Sequence, residues 1–247
     1  MKTSMLGETG RRELVSSWPE VLVKGVADEG GKLLYPGDLV RLPANIKWGT
    51  GADFDVVGTV TGFAVDKRGV PSVVVYAPAW NGSRPDSWRT WIVNGDFCNA
   101  LSGKEAEALA ATLGKRDGDS SLVETILDDS VRRSMGQAWV QVMARGVRTK
   151  AKVALAPGDL VRLPRNVARN RGSQLHAAGL CLGYAIGLDG SPCIVVDAVG
   201  EDVPTLTRWR TWVVRGTDVI VIDTKEAWRL EGMYDRSGRV RPKKRGR

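Results

Sequence analysis

Apolar positions along this chain come in short runs parted by polar, glycine-bearing turns, the pattern of small strands. Residues 37–42 read as a strand opened by the Pro36-Gly37 turn, followed by a long polar loop over 44–55. The run over 56–65 is apolar with glycines at 58 and 62, and Asp66-Lys67-Arg68-Gly69 is a turn. Residues 72–77 and 88–93 supply two more strands. In the last of these, Trp88, Thr90 and Ile92 face one way while Arg89, Trp91 and Val93 face the other.

The same pattern then returns. PGDLVRLP at 36–43 recurs at 157–164, and WRTW at 88–91 recurs at 209–212, both at an offset of 121. The offset also carries Trp18 onto Trp139, Gly58 onto Gly179, Gly69 onto Gly190 and Pro71 onto Pro192. A fixed period without gaps predicts two copies of one unit, an internal duplication. The expected organisation is a first repeat over 11–114, a linker over 115–121, a second repeat over 122–235 and a tail over 236–247.

Helices are expected at the flanks. Residues 103–113 (GKEAEALAATL) are alanine-rich, and Lys104-Glu105-Ala106 recurs as Lys225-Glu226-Ala227, so each repeat ends in a packed helix. Residues 122–135 read as a helix capped by Ser120 or Ser121, with Leu122, Ile126, Leu127 and Val131 on one face. The corresponding segments 18–26 and 139–147 stay open between strand and helix, because Pro19 interrupts the first.

The fold class these elements predict is mainly β with flanking helices. The G-D-x-V opening strand, the long first loop, Gly58-Thr59-Val60-Thr61-Gly62 with its counterpart Gly179-Leu180-Cys181-Leu182-Gly183, the hairpin and the aromatic last strand resemble SH3-like small β-barrels. The resemblance covers about residues 36–100 and 157–222 and implies two tandem barrels closed from short, bent strands. Duplicated barrels with divergent loops are also similar to modules of bacteriophage structural proteins. That resemblance implies adaptor or decoration work, since this fold by itself assigns no activity.

Composition narrows the chemistry. No apolar run reaches the ~20 residues of a membrane span, and the first residues lack the apolar stretch of a signal peptide, so no membrane role and no secretion are expected. Cys98, Cys181 and Cys193 fall opposite Val219, Val60 and Ser72, which points to core filling rather than disulfides or a metal site. The single histidine, His176, stands in a loop where the first copy has Asp55. Asp38 and Asp159 should anchor the Pro-Gly turns through backbone amides, and Glu105 suits the first turn of a helix. No phosphate-binding glycine loop occurs. The expectation is therefore no catalytic residues, no metal, no cofactor and no small-molecule substrate.

What remains is charge and aromatic residues. The net charge is +8, yet residues 1–120 hold 14 basic and 15 acidic groups and residues 121–235 hold 15 and 13. The excess sits in the tail: Arg236, Arg239, Arg241, Lys243, Lys244, Arg245 and Arg247, with no acid. From Arg145 to Arg171 there are eight cations against one acid, including Arg165, Arg169 and Arg171 in the long loop. The first copy instead carries Trp48 and Trp80, with Arg84 nearby. Basic loops and tail suit a polyanion, and loop aromatics suit a protein interface.

The leading expectation is a non-enzymatic assembly protein, working with other protein subunits in the cytoplasm or within a virus particle. Trp48, Trp80 and Arg84 would make its protein contacts. The alternative is a protein that binds DNA or RNA through its second repeat and tail.

Overall fold

The computed structural model describes residues 8–43, 55–66, 68–81, 84–117, 128–163, 177–200 and 208–231, with backbone alone at 8–10, 78–81, 84–89, 112–117, 199–200, 208–210 and 231. The fold is mainly β with helices at its flanks. Its first half runs α1 (Glu8–Lys24), β1 (Val26–Ala27), β2 (Leu33–Leu34), β3 (Leu39–Leu42), β4 (Val56–Val65), β5 (Pro71–Asn81), β6 (Arg84–Asn94), a 3-10 turn (Gly95–Phe97), β7 (Asn99–Ala100) and α2 (Gly103–Asp117). The second half runs α3 (Asp129–Arg145), β8 (Val147–Arg148), β9 (Ala154–Leu155), β10 (Leu160–Leu163), β11 (Ala177–Ile186), β12 (Pro192–Gly200), β13 (Arg208–Arg215), a 3-10 turn (Gly216–Asp218), β14 (Ile220–Val221) and α4 (Thr224–Glu231). Every described element of the second half begins 121 residues after its counterpart, β13 excepted, which begins at Arg208.

The first segment left open by the sequence is helical. In α1, Leu14, Trp18 and Val21 are buried at spacings of four and three, and in α3 Met135, Trp139 and Val142 repeat that stripe. Burying the stripe outweighs Pro19, which stands exposed inside α1. Of the helix expected over 122–135, residues 129–135 are helical in α3, Asp128 is extended, and residues 122–127 lie outside the described residues. Asp128 caps α3, its carboxylate accepting from the Ser130 N–H; the expected caps Ser120 and Ser121 lie outside the described residues. Helix α2 continues through Lys115-Arg116-Asp117, where a linker was expected.

All strand pairs are antiparallel. In the first half β7 lies beside β3, then come β4, β5 and β6; the second half repeats this with β14, β10, β11, β12 and β13. Strand β4 carries the bend. Its first four residues pair with β3, whereas Gly62, Phe63 and Ala64 pair with Ala185, Tyr184 and Gly183 of β11. Thr61 is the extra residue at the switch, a β-bulge against β5, and Leu182 is the equivalent bulge in β11. Neither half closes on itself among the described strands. The sheets stay open, and the two halves share one ten-stranded sheet across β4 and β11.

Glycine makes that junction possible. A Cβ on Gly62 would stand 2.1 Å from the Tyr184 carbonyl oxygen, and one on Gly183 would stand 2.0 Å from that of Phe63. One hydrophobic core consequently runs through both halves, and β4 is buried along its whole length.

Candidate interaction site

The repeated octapeptide begins with a turn that does more than open a strand. Pro36 and Gly37 occupy its centre, with Gly37 at φ +100° and the Asp38 N–H bonded to the Tyr35 carbonyl at 2.9 Å. The Asp38 carboxylate accepts the Tyr35 N–H at 2.8 Å, and Asp159 does the same for Ala156 at 2.8 Å, as the sequence led us to expect. Each turn then receives the helix of the opposite half. Arg11 of α1 donates from Nε to the Gly158 carbonyl at 2.9 Å and from Nη1 to Thr224 Oγ1 at 3.2 Å. Arg132 of α3 donates from Nη1 to the Gly37 carbonyl at 3.5 Å and is braced by an ion pair with Asp129.

Two turns further along the helices the exchange is repeated by rings. Trp18 of α1 meets Tyr184 of β11 edge-on, and Trp139 of α3 meets Phe63 of β4 the same way, with centroids 5.1 and 5.2 Å apart. The two contacts differ by one hydroxyl. The Tyr184 hydroxyl donates to the Leu155 carbonyl at 2.7 Å; burial first, then its neighbours Cys181 and Asp159, pushes its pKa up to about 12, so it keeps its proton. Phe63 has no such group.

Over Phe63 and Trp139 lies a groove of about 510 Å³. The C-terminal part of α1 forms one wall, α3 the other, and Leu33, Tyr35 and Pro36 one end. Its apolar side chains face solvent: Val23 is 85% exposed, Val140 63% and Tyr35 54%. The shared fold does not demand this, because the second half has Ala144, Ala154 and Ala156 where the first has Val23, Leu33 and Tyr35. Among the described residues, the only charged one in the lining, Lys24, is paired with Glu20 at 2.9 Å. Such a lining buries an apolar surface and offers no paired acid and base.

The cysteines lie in the core as free thiols. Burial pushes Cys98 and Cys181 up to about 12 and raises Cys193 too, which keeps them protonated and weakly nucleophilic. Among the described residues no cluster of His, Cys, Asp or Glu has the makings of a metal site.

None of the sequence-predicted site residues is among the described residues that line this groove. Trp80 lies in β5, paired with Pro85, and Arg84 begins β6, paired with Asn81, with the side chains of both outside what is described. Trp48, His176, Arg165, Arg169, Arg171 and the tail cations Arg236, Arg239, Arg241, Lys243, Lys244, Arg245 and Arg247 lie outside the described residues. Conversely, sequence reasoning passed over Arg11, Arg132, Val23 and Val140. A signal existed for the first two, since the offset of 121 also carries Arg11-Arg12 onto Arg132-Arg133.

No family model, curated protein or solved structure matches the chain.

Proposed function

We propose that this chain is a non-enzymatic structural protein of a larger assembly, acting in the cytoplasm or within a virus particle. In this reading it is made of two SH3-like modules that arose by internal duplication and now share a sheet. Supporting the module reading are the 121-residue spacing of the elements and the return of β7 beside β3, and of β14 beside β10, in each half. The observation that carries the functional reading is the groove. Its exposed Val23 and Tyr35 meet Val140 where the two halves join, and the positions 121 residues after Val23 and Tyr35 hold the smaller Ala144 and Ala156.

The occupant we assign is an apolar segment of a partner protein subunit, because nearly all the lining is uncharged and apolar side chains set both walls. Photo-crosslinking in the cell that makes the protein tests this, with the reactive side chain at Val23 or Val140 and a control at the exposed Glu107 on α2. One discrete protein adduct from both groove positions, absent from the control, is expected. Identical patterns from all three positions, or no adduct at all, would overturn the assignment.

The second reading, binding to nucleic acid by the second half, rests on a separate surface.

A further inference from the structure

The two halves build the same hairpin after their first helix and load it differently. In the first half the hairpin between β1 and β2 is electrically balanced: Lys24 pairs with Glu20, Asp28 is buried in backbone hydrogen bonds, and Glu29 accepts from Asn99 Nδ2 at 3.1 Å. In the second half Gln141 replaces Glu20, and Arg145, Arg148, Lys150 and Lys152 stand exposed where the first half has Lys24, Ala27, Glu29 and Gly31. Residues 145–152 contain no acid, and none of these four cations has an ion pair among the described residues.

Arg145 ends α3, and Arg148, Lys150 and Lys152 stand on the hairpin that follows, which its own hydrogen bonds hold. The Thr149 N–H bonds to the Val153 carbonyl at 2.9 Å, the Lys152 N–H to the Thr149 carbonyl at 2.9 Å, and the Val153 N–H to Thr149 Oγ1 at 3.1 Å. Arg148 Nη1 donates to the Lys152 carbonyl at 3.2 Å. Lys152 adopts φ +64°, the one non-glycine residue in the left-handed region among those described, at the position where the first half uses Gly31 at φ +81°. A lysine at a position that glycine fills without strain marks a side chain kept for what it contacts.

We propose that Arg145, Arg148, Lys150 and Lys152 form a docking site for the phosphate backbone of double-stranded nucleic acid. The site is independent of the apolar groove. Four cations, one at the end of α3 and three on the hairpin that follows, none with an ion pair among the described residues, match the dense, regular charge of a duplex backbone. An interface with an acidic protein would in addition bury aromatic or aliphatic anchors, and Val153 is the only large apolar side chain exposed between residues 145 and 153. Phosphate contacts position a protein without reading sequence, so binding here is independent of base sequence.

The test is fluorescence anisotropy of a labelled DNA duplex of about 20 base pairs, long enough to span several backbone contacts, with the full chain and with R145Q/R148Q/K150Q/K152Q. Each lost phosphate contact removes about 0.9 from the slope of log affinity against log salt, so the slope should shrink by about 3 to 4 and affinity near 0.1 M salt by more than about tenfold. Lys152→Gly separates binding from folding: it should keep or raise the melting temperature while weakening duplex binding. Unchanged affinity and slope in the quadruple variant would overturn the proposal. So would tighter binding to poly-glutamate than to the duplex at equal charge concentration, which would assign the hairpin to an acidic protein.

Discussion

Trp18 and Tyr184 meet edge-on at 5.1 Å across the boundary between the two halves, and Trp139 and Phe63 return the contact with the halves exchanged. Each helix is thus anchored on the other half's bent strand, while Arg11 and Arg132 fasten it to the other half's Pro-Gly turn. The groove exists only where this exchange occurs, since Phe63 comes from the first half and Trp139 from the second. Truncating either tryptophan to alanine should cost about 3–5 kcal/mol, the range for large aromatic side chains removed from a core. Chemical denaturation should show both halves still unfolding in one transition, because each contact belongs to both.

Glycine at the junction leads to a sharper expectation. Gly62→Ala or Gly183→Ala places a methyl group about 2 Å from a main-chain carbonyl oxygen of the partner strand, so β4 and β11 must part. Gly103→Ala, at the start of α2, meets nothing within 4 Å and should be neutral or stabilising by up to about 1 kcal/mol. Thermal melts of the three variants compare these outcomes directly.

Pro19 interrupts the hydrogen bonding of α1, where α3 has Val140 at the same place. Pro19→Ala should restore a backbone donor and stabilise the protein by about 1–3 kcal/mol, read as an increase in the denaturation midpoint.

Acid should loosen the first half through Asp28. Burial pushes its carboxyl up, but N–H groups of Ala100, Lys32 and Gly30, with the Lys32 charge nearby, together hold it below its usual value. A carboxyl whose folded pKa is depressed contributes stability that is present at neutral pH and is lost as pH falls from the ordinary Asp range through the folded pKa. Melting temperature should therefore drop below about pH 4, and Asp28→Asn should start lower at neutral pH and show a shallower acid limb.

Exposed groove positions should separate binding from stability. Val23→Asp and Val140→Asp alter side chains that are 85% and 63% exposed, so the melting temperature should stay within about 0.5 kcal/mol equivalent of the parent. Partner adducts from a crosslinker at the other groove position should disappear.

Much of the local structure can be read from residue order, and the way the halves meet cannot. Strand β4 falls on the apolar run 56–65, and the turn around Asp66 forms as expected, its carboxylate accepting from Arg68 and Val70 N–H groups. Such features depend on neighbours in sequence. The pairing of Phe63 with Tyr184 depends on which strand edge is left open after the bulge at Thr61, and an apolar run buried on both faces carries no mark of its partner. Helix α1 was hidden by Pro19, whose local cost is outweighed by burial of Leu14, Trp18 and Val21. The groove was hidden for a related reason: Val23 and Val140 look like core residues until the fold turns them outward.

The most direct measurement is amide hydrogen exchange, residue by residue, on the parent chain and on Gly62→Ala. If the halves form one interlocked body, a substitution in the first half should speed exchange at β11 of the second half, including Tyr184 and Ala185, together with β4. Faster exchange confined to the first half, with β11 protected as in the parent, would contradict the shared sheet and the groove built upon it.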